Sequence, residues 1–293
     1  MALTSDKQSS PSILDLINKT LELPTIPHVL VKLNEVLADP ESSADDVAQV
    51  ISLDPAVSTN ILRIVNSAYY GLQVRVSSVN LAVSIMGFNM TKKVALKAAV
   101  FSVFAKDKNK TFAHFDPKDF WQHSIYSGVL ARVLGQASDN FSGVHPEDLY
   151  ICGLLHDIGK IILLENACDA FESILEQAVK TGTPCAEIEQ DKLGYTHADV
   201  GSVLAIKWFL PEDLTIAIRY HHAPDRDPFH KTLSSLICLA EQLAIREGRP
   251  PYAKAPVQEI APELIETVGL AEEDLEALVA KANEEFLGSG TPW

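Results

Sequence analysis

The chain has few cysteines, few basic residues and no long apolar run, and each shortage weighs against a class of protein. Four cysteines, at 152, 168, 185 and 238, show no Cys-x-x-Cys spacing. They argue against a thiolate zinc ribbon or a disulfide framework and fit reduced thiols in a cytoplasmic protein. Lys and Arg number 24 against 39 acidic residues, for a net charge of −15. A surface this acidic repels phosphate backbones, so general nucleic-acid binding is disfavoured, as is docking on anionic membranes. The most apolar stretch, VALKAAVFSVFA, contains Lys97 and falls short of the roughly 20 residues that span a bilayer. The N-terminus lacks the basic-then-apolar pattern of a secretory leader.

Sustained alternation of apolar and polar residues is missing too, which removes the main signal for strands. What is present is helical spacing. Val29, Leu30, Leu33, Val36 and Leu37 form one apolar stripe at i, i+3, i+4 and i+7. Start signals recur at Asp39-Pro40, at Ser43 with acids at 45 and 46, at Asp54-Pro55, at Asp116-Pro117 and at Pro211-Glu212-Asp213. Glycines at 71, 87, 182 and 194 punctuate helix ends. These signals predict an all-α, multi-helix protein of 293 residues. Residues 1–11 read as a flexible N-terminus and 12–105 as a helical N-terminal half. The polar stretch KDKNKTFAHFDP marks a junction near 106–116. Residues 117–245 form a second helical half. The proline-rich RPPYAKAP (249–256) leads to C-terminal helices within 257–288 that pack back on the body.

The second half carries the chemistry. Asp119 and His123 stand four apart, which places them on one helix face. His156 and Asp157 follow the apolar run YICGLL, Lys160 comes three residues later, and His197 lies in GYTHADVG. The pair His221-His222 and then Glu241 complete the set, which holds five of the nine histidines. Adjacent His-Asp and His-His pairs are hard to reconcile with plain core packing. Neutral imidazole and carboxylate together suit one or two divalent metals such as Fe, Mn, Zn or Ni. Two metals roughly 3.5–4 Å apart, bridged by a carboxylate, form a site for phosphoester hydrolysis. Lys160 supplies a cation that would hold a phosphate oxygen.

GLLHDIGK resembles the motif of the HD superfamily of metal-dependent phosphohydrolases, and the spacing of the full set is similar to its HD-GYP branch. That resemblance implies His123, His156, Asp157, His197, His221 and His222 as metal ligands and Asp157 and Lys160 as catalytic. It implies iron as the leading metal. Asp119 stands where the branch has a Glu, and Glu241 where it has an Asp. The loop after the His pair reads HHAPDRDP rather than the GYP signature, which argues against hydrolysis of a cyclic dinucleotide. The stretches LPTIPHVLVKLNEVLADPESSADDVAQVISLDPAVSTNILRIVNSAYYG and SSVNLAVSIMGFNMTKKVAL resemble the opening signature of the HDOD family over roughly residues 20–225. This second resemblance implies a bacterial signal-transduction protein that acts as a regulatory or scaffold module with signalling proteins as partners. The retained ligand set keeps open the alternative of a phosphohydrolase with a nucleotide or phosphate ligand.

Overall fold

Helix boundaries follow the capping chemistry. The computed structural model describes residues 12–13, 32–33, 35–36, 39, 41–53, 55–66, 72, 74–104, 112–208 and 210–288. Among these, all regular structure is helical. The expected flexible stretch 1–11 lies outside the described residues, as does the 105–111 part of the expected junction. Two compact units result, one of residues 21–111 with 206–210 and one of 112–205 and 211–293 together with 1–20.

In the first unit, α1 (Ala44–Ser52) opens with a capping box. The Ser43 hydroxyl accepts from the Asp46 N–H, and the Asp46 carboxylate accepts from the Ser43 N–H. Two otherwise unmet donors are thereby satisfied. Helix α2 (Pro55–Val65) and the long α3 (Val79–Phe104) follow. Gly87 has φ of +75° inside α3, so the chain kinks there rather than running straight. Val47, Ile51, Val57, Ile61, Val65 and Val83 close the core of this unit.

The second unit is built around α4 (Pro117–Ala137), whose N-cap Asp116 accepts from the Lys118 N–H ahead of Pro117. It packs on α5 (Pro146–Leu155), and α6 (Ile158–Asn166) and α7 (Cys168–Thr181) continue the chain. Then come α8 (Cys185–Leu193), α9 (His197–Lys207), α10 (Glu212–Tyr220) and α11 (Lys231–Arg246). Left-handed glycines at 182 and 194 end α7 and α8. The chain closes with α12 (Pro262–Val268) and α13 (Leu275–Gly288). Helix α13 packs on α4, and α12 packs on α11. Arg132 of α4 joins this corner together, pairing with Glu147 at 2.8 Å and Glu285 at 2.9 Å. No described helix is long and apolar enough to cross a membrane.

Close backbone approach positions the polar residues. A Cβ on Gly153 would lie 2.6 Å from the Ser127 carbonyl oxygen, and one on Gly159 would lie 1.9 Å from that of His197. The absence of those methyls lets α5 lie against α4, and α6 against the start of α9. Because the obstacle at Gly159 is backbone, Gly159→Ala is expected to destabilise the protein by about 3 kcal/mol. A urea midpoint unchanged from that of the parent would contradict this.

Candidate metal centre

The His156-Asp157 dipeptide sits where the chain turns between two helices. His156 is the C-cap of α5 and Asp157 precedes the first turn of α6. That turn points both side chains inward, next to His123 from the second turn of α4. Helix α9 supplies His197 as its first residue, α10 ends at His221 with His222 following, and α11 brings Glu241. His123, His156, Asp157, His197 and His221 have no accessible surface, Lys160 has 1% and Glu241 has 5%. His222 stands at the edge, with 29% of its side chain accessible.

Asp157 divides its two oxygens between two groups of histidines. Its Oδ2 lies 3.5 Å from His156 Nε2 and 3.7 Å from His123 Nε2. Its Oδ1 lies 3.1 Å from His197 Nε2 and 3.6 Å from His221 Nε2. Lys160 Nζ also reaches Oδ1, at 2.5 Å. Two four-residue sets with metal-ligand geometry therefore share one carboxylate: His123, His156, Asp157 and Glu241, and Asp157, His197, His221 and His222.

The outer ring nitrogens settle which lone pairs face inward. His123 Nδ1 lies 2.7 Å from the Arg249 carbonyl, His156 Nδ1 2.7 Å from that of Gly153, and His221 Nδ1 2.7 Å from that of Ile218. A carbonyl only accepts, so each Nδ1 carries a proton, and the tautomer this selects turns the Nε2 lone pair to the centre. His197 Nδ1 donates to Glu189 Oε2, also at 2.7 Å. His123 Nε2 and His156 Nε2 then face one another at 3.4 Å with no proton to share. The buried Asp157 Oδ2 and His221 Nε2 have no hydrogen-bond partner. Converging lone pairs and orphaned buried acceptors fit bound divalent cations, with the carbonyls and Glu189 acting as the outer partners that orient metal-ligating histidines.

The electrostatics agree. Burial opposes the charge on Asp157, but the Lys160 ammonium holds its carboxyl well below the usual range. Burial likewise opposes the charge on Lys160, and Asp157 nonetheless holds it above its ordinary value. Burial lowers His156 well below its ordinary value and His123 to about 4, so both rings are neutral near pH 7. His197 moves the other way: burial opposes its charge, but Glu189 and Asp157 raise it well above the usual value. Burial and then the charge of Asp157 raise Glu241, while Lys160 acts in the opposite direction.

One residue of the expected set stays apart. Asp119 is exposed in the first turn of α4 and belongs to neither four-residue group. It shares a helix face with His123, but four residues separate them by about 6 Å along the axis, and the first turn of α4 reaches solvent. Conversely, Glu189 is buried and holds both the ring and the backbone N–H of His197, the latter at 2.7 Å. Sequence reasoning missed it. Its only signal is that Cys185 and Glu189, four apart, share the face of α8 that the turn at Gly194 folds back toward His197.

Residues 23–224 match the family model of the HDOD domain. An uncharacterized protein of Treponema pallidum (strain Nichols) is 26% identical over 257 residues, which are 86% of this chain and 48% of the relative. The chain thus spans about half the length of the curated relative it matches. An HDOD domain protein of unknown function from Geobacter sulfurreducens superposes with a TM-score of 0.70 at 20% identity, covering 94% of this chain and 95% of that one. A candidate signal transduction protein from Marinobacter aquaeolei VT8 gives 0.74 at 24% identity, covering 92% and 59%. A candidate phosphohydrolase from Shewanella amazonensis SB2B gives 0.68 at 24% identity, covering 92% and 93%. The three structures share the helical fold, and, with more than half of its length matched by the family model, the chain belongs to the HDOD family.

Proposed function

We propose that the unit containing residues 112–205 and 211–293 binds two divalent transition metals through Asp157 and hydrolyses a phosphate ester, as part of a cytoplasmic signalling protein. The observation that carries this reading is the division of Asp157, whose oxygens face two separate groups of inward-turned Nε2 atoms. Iron is the leading candidate, with Mn, Zn or Ni suited to the same nitrogen and oxygen donors. Bound metals would supply Lewis acidity and an activated water. His123, His156 and Glu241 would hold one ion, and His197, His221 and His222 the other. Glu189 and the carbonyls of Gly153, Ile218 and Arg249 keep the imidazoles oriented. Lys160, buried beside Asp157, keeps the carboxylate ionised and presents a fixed cation to a phosphoryl oxygen.

A second reading is a regulatory module that binds metal and relays its state to signalling-protein partners without turnover. It is favoured by the pairing of Lys160 with Asp157, which leaves that cation partly committed. The name of the Marinobacter protein points in this direction, while a second Shewanella amazonensis SB2B protein, at 22% identity and a TM-score of 0.59, is named as a candidate metal-dependent phosphohydrolase.

Elemental analysis of the purified protein is expected to show up to two metal equivalents, absent from the His156→Ala/Asp157→Ala double variant. A protein still metal-free after anaerobic reconstitution would sink both readings. Glu189→Gln keeps the shape but loses the carboxylate, and is expected to weaken metal affinity about 10- to 100-fold in competition with a chelator. An unchanged affinity would remove Glu189 from the centre. Lys160→Met is expected to keep the metal and lower turnover of p-nitrophenyl phosphate about 100-fold. Metal-loaded parent protein with no turnover of p-nitrophenyl phosphate or its diester would favour the regulatory reading.

A further inference from the structure

A cavity of about 120 Å³ opens beside the cluster, with Lys160, His222 and Glu241 among its lining. Another part of its wall is Pro251, Tyr252, Ala255 and Pro256, from the proline-rich segment beyond the family-matched residues. That segment is firmly held. Tyr252 is 3% exposed, the Ala253 N–H donates to the His114 carbonyl at 3.0 Å, and the Arg249 guanidinium lies 4.0 Å from the Tyr126 ring centroid. The prolines restrict its backbone further.

We propose that this cavity is the ligand site and that residues 249–258 restrict it to a phosphomonoester of a short, hydroxylated carbon chain. The proposal rests on the phosphoester reading above and adds the substrate class. Size is the first reason. Sites for drug-sized ligands occupy about 300–1,000 Å³, whereas this cavity, at about 120 Å³, is well below that range. A phosphoryl group at the metal end leaves room for only a few more heavy atoms, fewer than a nucleoside has.

Charge is the second reason. Lys160 is the sole Lys or Arg in the lining and is already paired with Asp157, while Glu187 and Glu241 are lining acids. A second phosphate would meet carboxylates and find no free cation. No residue of the turn after the His pair, 223–230, is part of the cavity wall. The Asp227 carboxylate accepts from the Phe229 and His230 N–H groups and, at 2.5 Å, from the Ser234 hydroxyl. A cyclic dinucleotide is therefore excluded on size and on charge.

Hydrogen bonding is the third reason. Gln242 lines the cavity, and its Nε2 donates only to Cys238 Sγ, at 3.3 Å, a weak acceptor. Its buried Oε1 has no partner. The terminal amide torsion is soft, so the amide can turn to accept from a ligand hydroxyl at the loss of one N–H···S contact. Tyr252 and Ile245 offer apolar surface to the carbon chain.

Non-hydrolysable phosphonates test this without relying on turnover. Inorganic phosphate, ethylphosphonate, 2-hydroxyethylphosphonate, adenosine monophosphate and a cyclic dinucleotide are titrated calorimetrically into the Mn²⁺-loaded full chain. 2-Hydroxyethylphosphonate is expected to bind at least fivefold tighter than ethylphosphonate and at least tenfold tighter than either nucleotide. Gln242→Leu should erase the first difference and leave phosphate within twofold of the parent. Tyr252→Ala should bring adenosine monophosphate at least tenfold closer to the small ligands. Should that variant not fold, Ala186→Phe fills the cavity from its half-exposed side and should weaken both alkyl phosphonates but spare phosphate. Nucleotide binding as tight as that of the small phosphonates, or a ranking unmoved by Gln242→Leu, overturns the assignment while leaving the metal centre standing. Phosphate that binds no better with Mn²⁺ than after chelation overturns the phosphoester reading itself, and the assignment with it.

Discussion

Asp157 has no contact with water, and a buried carboxylate without positive partners costs several kcal/mol. The second unit can be understood as the means of meeting that cost. Lys160 comes from the first turn of α6, which Asp157 precedes, and four histidines arrive from α4, α5, α9 and α10. Lys160 balances one negative charge, but it does not account for so many unprotonated nitrogens. A single ion pair would require none of them. Their number and direction make sense once cations of higher charge are placed between them.

Packing and chemistry are hard to separate here. Gly153 and Gly159 flank the His156-Asp157 turn, and each touches the backbone of a neighbouring helix where a Cβ would collide. Larger residues would push α4 and α9 outward and with them His123 and His197. Glycines elsewhere in this unit, such as 182 and 194, serve chain reversal instead. The same residue type thus sets ligand spacing at one place and ends helices at another.

Much of this was legible in the sequence. Helix starts at Ser43 and Asp116-Pro117 follow from local hydrogen bonding, which neighbouring residues encode almost completely. The convergence of His123, His156, Asp157, His197, His221, His222 and Glu241 follows from residue types too unusual for an apolar setting. What escaped is tertiary. Asp119 shares a face with His123 on paper, but the depth at which α4 enters the unit decides that only His123 is buried. Glu189 looks like any helix-surface acid until α8 is folded against the start of α9. The carbonyls of Gly153, Ile218 and Arg249 leave no signature, because every residue has one.

The hydrogen bond from His123 to the Arg249 carbonyl joins the family-matched part of the cluster to a residue outside it. Arg249 lies beyond residue 224, where the family match ends, as does Glu241. The Arg249 guanidinium packs against the rings of Tyr126 and Phe286, 4.0 and 4.9 Å from their centroids, and the two rings contact one another edge-on. The length of chain that is recognised as kin and the length that supplies the buried cluster are therefore different. A domain transplanted at the family boundary would carry all the imidazoles and Asp157, yet leave behind a carboxylate and the lock on one tautomer.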